Sequence, residues 1–365
     1  MSTCRIHLIA AARPNFMKVA PLYHALKRES WCDVAIVHTG QHYDANMSDA
    51  FFQDLQLPDP HYHLGVGSGS HAEQTAGVMV AYEKTCLESS PAWTIVVGDV
   101  NSTAACAMVA AKLWIPVIHL EAGLRSRDRS MPEEINRLVT DTIADVLWTP
   151  SVDADENLLR EGVDAHRIDR VGNIMIDSYE MMRGRIEADE TPRQLGVTSG
   201  QYVVVTLHRP SNVDRRETLA PLVEQLLSVS KRLKVVFAVH PRTRRRLEEF
   251  GLIRSLVEAP GVLLTEPLGY VQFMALVRGC AAAITDSGGV QEETTYLGIP
   301  CITLRENTER PITVSQGTNR LVRTPELREK TELVIDGRWP TGRAPEGWDG
   351  HTAERCVAAL RRRIA

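Results

Sequence analysis

The sequence predicts an α/β protein built from two doubly wound, Rossmann-like parallel-sheet domains. Three observations lead there: the chain length, the rhythm of its short apolar runs, and the ionisable residues that stand where those runs end. At 365 residues the chain exceeds one ordinary core, so two domains of about 150 to 190 residues are expected. Short apolar runs alternate with longer helix-forming segments, at 5–11, 33–38, 94–98, 116–120, 146–149 and 168–171, then at 202–207, 234–239, 262–265, 282–285 and 300–304. Near-continuous apolar strands are covered by helices on both faces, which means parallel sheets with right-handed crossovers.

The first run begins almost at the N-terminus, and its length and flanks do not fit a signal peptide. The turn after it, Ala12-Arg13-Pro14-Asn15-Phe16-Met17-Lys18, carries cations and lacks the G-x-G-x-x-G fingerprint of nicotinamide or flavin sites. Arg13 can fork two phosphate oxygens and Lys18 can supply a point charge; the alternative is that both are simply solvated. The run 94–98 leads into Asp99, and 116–120 into Glu121. A lone acid at such a place is commonly a helix N-cap. The longest apolar region, Thr103 to Leu120, contains Lys112 and Pro116 and divides into a helix and a strand rather than a membrane span.

Further on, Met131-Pro132-Glu133-Glu134-Ile135-Asn136-Arg137 starts a helix at Pro132 with two acids in its first turn. Glu133 and Arg137 share a face, so a local ion pair competes with a catalytic role. The charged stretch 183–200, with Pro192, Gly196 and Gly200, marks a boundary: 1–175 for the first domain, 176–350 for the second, and 351–365 for a terminal helix without a predicted partner.

In the second half, 202–207 leads into His208, and 234–239 into His240. Ligands of open parallel sheets sit outside the carboxyl ends of the strands, where all these residues fall. The run 282–285 leads into Asp286-Ser287-Gly288-Gly289, then Gln291-Glu292-Glu293. Ser287, Gly288 and Gly289 leave backbone N–H groups bare at a helix N-terminus, a phosphate site by donors and dipole alike, with Glu292 and Glu293 in reach of a hydroxyl-bearing part of the same ligand. The alternative is a Gly-rich turn that binds nothing.

A net charge of −5 offers no overall attraction to nucleic acid or an anionic membrane, so an anionic ligand must be met locally. Seven scattered cysteines without a C-x-x-C pair speak against a disulfide framework or zinc site and fit reduced thiols of a cytoplasmic, soluble protein.

Several motifs in one order then resemble the non-hydrolysing UDP-N-acetylglucosamine 2-epimerases. They are Arg13-Pro14 with Lys18, Thr39-Gly40-Gln41-His42, Gly98-Asp99, His119-Leu120-Glu121-Ala122-Gly123-Leu124-Arg125, Pro132-Glu133-Glu134 with Asn136-Arg137, Gly172-Asn173, His208-Arg209, the Asp286 to Glu293 segment, and Thr308-Glu309-Arg310-Pro311. The resemblance implies a GT-B fold with the active site in an interdomain cleft, a homodimer, a UDP-sugar substrate, and neither metal nor redox cofactor. It implies elimination of UDP to a 2-acetamidoglucal and re-addition after reprotonation on the other face. By motif position, Asp99, Glu121 and Glu133 match catalytic acids and bases, and His208 a histidine beside the diphosphate. Arg13, Lys18, Ser287, Gly288 and Gly289 match nucleotide and phosphate contacts, Glu293 the ribose contact and Phe273 the uracil pocket. Arg137, His240 and Arg310 join the substrate-binding set. Asn15, Pro210 and Ile312 depart from the residues many members carry there, and no arginine is evident before Gly67, where an activating second substrate site would use one.

Overall fold

The computed structural model describes residues 3–11, 13–40 and 55–364. Two compact units result: Met1–Met181 together with Glu346–Ala365, and Met182–Pro345. The first holds a seven-stranded sheet of β1 (Cys4–Ala10), β2 (Cys32–His38), β3 (Tyr62–His63), β4 (Trp93–Val97), β5 (Val117–Leu120), β6 (Val146–Thr149) and β7 (Ile168–Arg170), in the order β3-β2-β1-β4-β5-β6-β7. The second holds β8 (Tyr202–Thr206), β9 (Lys234–Ala238), β10 (Val262–Thr265), β11 (Ala282–Thr285), β12 (Cys301–Thr303) and β13 (Asn319–Leu321), in the order β10-β9-β8-β11-β12-β13. Neighbouring strands pair in parallel in both.

The apolar runs became central strands because both of their faces are covered. Ile6, Leu8, Ile95 and Val96 in the first unit, and Val203, Val205, Phe237 and Ile284 in the second, are fully buried. Each such side chain stabilises by roughly 1.5 to 3 kcal/mol. Strand order reverses between β1 and β4 in one sheet and between β8 and β11 in the other, and ligand crevices of such sheets open at those reversals. Lys18 and Asp99 follow the first pair of strands; His208 and Asp286 follow the second.

Two strands carry no sequence signal. β3 has only two residues and β13 reads Asn-Arg-Leu, so neither forms an apolar run; both are edge strands recruited by a neighbour's open ladder. The units divide at Met181 and Met182 rather than at 175, because the helix Ile174–Ala188 runs through the expected boundary. Residues from Glu346 onward return to the first unit.

That return gives the terminal helix Thr352–Ile364 its partner, the helix Arg13–Lys27. Cys356, Ala359 and Leu360 are buried, and Trp348 anchors the approach by donating Nε1–H to the Pro150 carbonyl at 2.9 Å. The first amides of this helix have an acceptor 175 residues away in sequence: Asp177 takes the Thr352 N–H at 3.1 Å and the Ala353 N–H at 2.7 Å. All seven cysteines are free. Among the described residues no helix is long and apolar enough to cross a membrane.

Removing the Asp177 carboxylate leaves two buried amides without acceptors. Asp177→Ala is expected to lower stability by about 1 to 3 kcal/mol in chemical denaturation, and Asp177→Asn by less, since one amide oxygen remains.

Candidate active site

At the carboxyl edge of the first sheet, β4 and β5 run in register, Val97 opposite Leu120, and deliver Gly98-Asp99 and Glu121 side by side. Glu121 sits at φ +74°, a left-handed conformation unusual for a side-chain-bearing residue, with its amide and that of Ala122 both donating to the Trp148 carbonyl at 3.1 Å. Such strain concentrates at functional sites. Lys18 forms an ion pair with Glu121 Oε2. Oε1 of the same carboxylate is buried and has no hydrogen-bond partner.

Asp99 is held differently. Arg137 donates to its Oδ2 through Nε and Nη2 at 3.0 and 2.6 Å, while Asn136 Nδ2 takes the Asp99 carbonyl at 2.9 Å. Arg137 reaches Glu134 Oε2 as well, at 2.7 Å. Glu134 in turn accepts the amides of Ser126 and Arg127 and the Ser126 hydroxyl, each at 2.9 Å. Burial pushes the Glu134 carboxyl up, but those donors and Arg137 outweigh it and hold it below the ordinary range. Glu134 is therefore an anchor, whereas Glu133 is half-buried on the same first turn.

In the second unit, the helix Gly288–Leu297 follows β11, and its cap residue Ser287 makes no side-chain hydrogen bond to the first turn. The Ser287 amide itself is occupied by Thr285 Oγ1 at 2.9 Å, so the bare donors begin at Gly288. A Cβ on Gly289 would meet open space, leaving that backbone approachable by a phosphate. A Cβ on Gly288 would come within 2.6 Å of Arg310 Nη1 and 2.7 Å of Glu309 Oε1. Glycine is thus required at 288 for packing and is open for access at 289.

His208 donates Nδ1–H to Asp286 Oδ1 at 2.9 Å, which fixes the ring and leaves Nε2 for other partners. Asp286 is fully buried; it also accepts the His208 and Arg209 amides and Asn212 Nδ2. Burial pushes its carboxyl up, but His208 and these donors hold it below the ordinary range. The sequence pointed at the turn beginning with Asp286 without showing that Asp286 orients His208. Its signal was position: it directly follows β11, the strand beside the one that His208 follows.

The remaining residues fall as follows. His240 caps the helix Pro241–Glu249 by accepting the Arg242 amide on Nδ1 at 3.2 Å, with its ring 5.6 Å from that of His208. Burial and His208 lower its pKa. Arg310 is enclosed by Glu292 at 2.7 Å and Glu309 at 2.6 Å, which makes it a brace under the glycine helix. Phe273 is half-buried on the helix Tyr270–Gly279. The Arg13 side chain, Gln41 and His42 lie outside the described residues. Glu293 is buried with Oε1 lacking a hydrogen-bond partner. Burial pushes its carboxyl up to about 8, a Tyr270 hydrogen bond opposing the rise and Glu292 adding to it. Among the described residues no group of three His, Cys, Asp or Glu side chains could hold a metal ion.

One unit therefore presents carboxylates with cationic partners, and the other a helix N-terminus beside an oriented histidine. The family model described as UDP-N-acetylglucosamine 2-epimerase matches residues 24–361. The chain is 41% identical to the UDP-N-acetylglucosamine 2-epimerase of Methanocaldococcus jannaschii, over 98% of both chains. A crystal structure of the M. jannaschii enzyme in complex with UDP-GlcNAc and UDP superposes with a TM-score of 0.89 over 98% of this chain and 99% of that one, at 40% identity. A Pseudomonas aeruginosa relative, UDP-2,3-diacetamido-2,3-dideoxy-D-glucuronate 2-epimerase, is 39% identical over 87% of this chain and 88% of its own.

Glu293 gives a pH test with a definite sign. A carboxyl whose folded pKa is near 8 against an ordinary 4.5 binds its proton more tightly when folded, so its contribution is full below pH 4.5 and is lost as pH rises toward 8. Glu293→Gln keeps the neutral shape. Thermal denaturation from pH 5 to 9 is expected to show a fall in Tm for the native chain that the variant flattens.

Proposed function

The chain belongs to the UDP-N-acetylglucosamine 2-epimerase family, and from that premise we propose that it inverts C2 of UDP-N-acetylglucosamine to give UDP-N-acetylmannosamine without net hydrolysis. The observation that carries the proposal is Glu121, set on a left-handed turn with one oxygen on Lys18 and the other buried without a partner. An oxygen desolvated in this way is prepared to exchange a proton with a substrate.

The hydrogen on C2 is weakly acidic because the carbon bears only nitrogen. Its removal must be coupled to breaking the C1–O bond to UDP, so that the C–H electron pair becomes the C1=C2 bond of a glycal as the diphosphate departs. Asp99, Glu121 and Glu133 are the groups we assign to proton removal and return. His208 and the Gly288-Gly289 amides, joined by Arg13 and Ser287 from the family motifs, hold the leaving and returning UDP. Glu293 serves the ribose and Phe273 the uracil. Reprotonation on the opposite face and re-addition of UDP complete the inversion. No electron is gained or lost over the cycle, so the reaction calls for no redox cofactor. We further propose that the enzyme works in the cytoplasm as a homodimer.

One observation favours a second sugar. The P. aeruginosa relative, 39% identical, is named for a diacetamido-glucuronate, close to the 41% of the M. jannaschii enzyme. Both substrates are UDP-linked 2-acetamido sugars, and the chemistry at C1 and C2 is the same for either.

In deuterated water the enzyme is expected to place deuterium at C2 of UDP-N-acetylglucosamine and form the manno epimer, with no accumulation of free UDP. Exchange confined to the diacetamido sugar would reassign the substrate, and absence of exchange with either would end the epimerase reading. Asp99→Asn and Glu121→Gln are each expected to lower turnover by about 100-fold or more while UDP affinity by calorimetry is kept.

A further inference from the structure

Beneath the groups assigned to substrate lies a second layer of charge that the proposed reaction does not use. Asp141, on the helix Pro132–Ile143, is 2% exposed, and every donor around it comes from a catalytic strand end. Its Oδ1 lies 2.6 Å from His119 Nδ1, and its Oδ2 accepts the Gly123 amide at 3.0 Å and Arg125 Nη1 at 2.7 Å. His119 is fully buried on β5, and its Nε2 lies 2.8 Å from the Gly98 carbonyl. Arg125 is closed off on its far side by Glu161, at 2.9 and 2.7 Å.

The hydrogen-bond inventory decides the ring's state. A carbonyl can only accept, so Nε2 carries a proton. Asp141 already takes an amide and a guanidinium. Although burial pushes its carboxyl up, His119 and Arg125 hold it below the ordinary range, so it is ionised and accepts from Nδ1 too. With a proton on each nitrogen the ring is an imidazolium, sealed between the two turns that carry Asp99 and Glu121.

We infer that His119 and Asp141 are positioning residues for the reaction, a buried imidazolium–carboxylate brace that sets the Gly98-Asp99 turn through the Gly98 carbonyl and the Glu121 turn through the Gly123 amide. This rests on the epimerase reading above. Three residues of the braced segments, Gly98, Glu121 and Gly123, stand at φ +70°, +74° and +81°. The two glycines take up this conformation freely, but for Glu121 it persists only where the surroundings over-determine it. A Cβ on Gly123 would come within 2.4 Å of the Ala154 carbonyl, so that turn is confined from the opposite side as well. The brace also completes the local charge pattern: Lys18 serves Glu121, Arg137 serves Asp99 and Glu134, Arg125 serves Glu161, and His119 shares Asp141 with Arg125. Loss of the ring proton would break either the Gly98 or the Asp141 contact and free one of the two turns.

The test has a part that needs no variant. With histidine labelled in the native chain, nitrogen NMR at pH 7 is expected to show the His119 ring protonated on both nitrogens, with and without UDP, the ring being assigned by through-bond correlation to its own backbone. A ring at 119 that carries a single proton at pH 7 overturns the proposal. In turnover assays His119→Gln and Asp141→Asn are expected to lower kcat by about 100-fold with KM and UDP affinity unchanged, the loss typical of a misplaced catalytic group. His119→Gln is further expected to move the acidic limb of the pH–rate profile upward, because a cation near two carboxylates has gone. Unchanged kcat in a folded variant, or a loss lying wholly in KM and UDP affinity, overturns it too. If neither variant folds, the native-chain spectrum alone decides. Isotope exchange at C2 by the native enzyme tests the epimerase reading separately, so the two can fail independently.

Discussion

Two carboxylates delivered by adjacent parallel strands are the constraint to which the first unit answers. Val97 and Leu120 are register partners, so Asp99 and Glu121 emerge from neighbouring strand ends. Strands lie about 4.8 Å apart. Like charges at neighbouring strand ends repel, so each acid calls for a cation. The chain answers with Lys18 for one acid and Arg137 for the other, each brought in from a helix that covers the sheet. Glu134 and Asp141 then steady those helices and turns, so that the cations arrive in fixed positions.

Under the proposed reaction the second unit meets the opposite problem, how to hold a dianion that must leave and return. A helix N-terminus supplies neutral donors and a partial positive charge without the strong desolvation cost of buried cations. Two cations of this unit are buried instead: Arg305 and Arg310 lie against Glu309, and Arg310 against Glu292 as well. This explains why Gly288 is confined while Gly289 is open, and why Arg310 serves the cradle as a brace. Asp286 repeats the device on a smaller scale, orienting His208 from below.

The proposed non-hydrolysing epimerisation asks both units for restraint as well as reactivity. A glycal and UDP that separate become products of hydrolysis or loss, so groups that hold are as necessary as groups that move protons. The layers under the two half-sites supply that holding. Glu121 is locked by two amides on one carbonyl, Asp99 by a forked arginine and an asparagine, and His208 by a fully buried aspartate.

The sequence by itself determined the two parallel sheets, most strand positions and the strand-end acids and histidines, because burial on both faces writes itself as apolar runs and the ends of those runs are where ligands meet such sheets. It also determined the family, through motifs whose order no single motif could supply. It was silent on β3 and β13, since two- and three-residue edge strands leave no apolar pattern. It set Glu133 against Arg137 by helical spacing, whereas the folded chain brings Arg137 to Glu134 and to Asp99, 38 residues away. Only the tertiary structure decided which acids are anchored by buried donors. That decision rests on distances between elements far apart in sequence, as when Asp141 meets His119 or Asp177 caps the terminal helix, and local propensity carries no record of them.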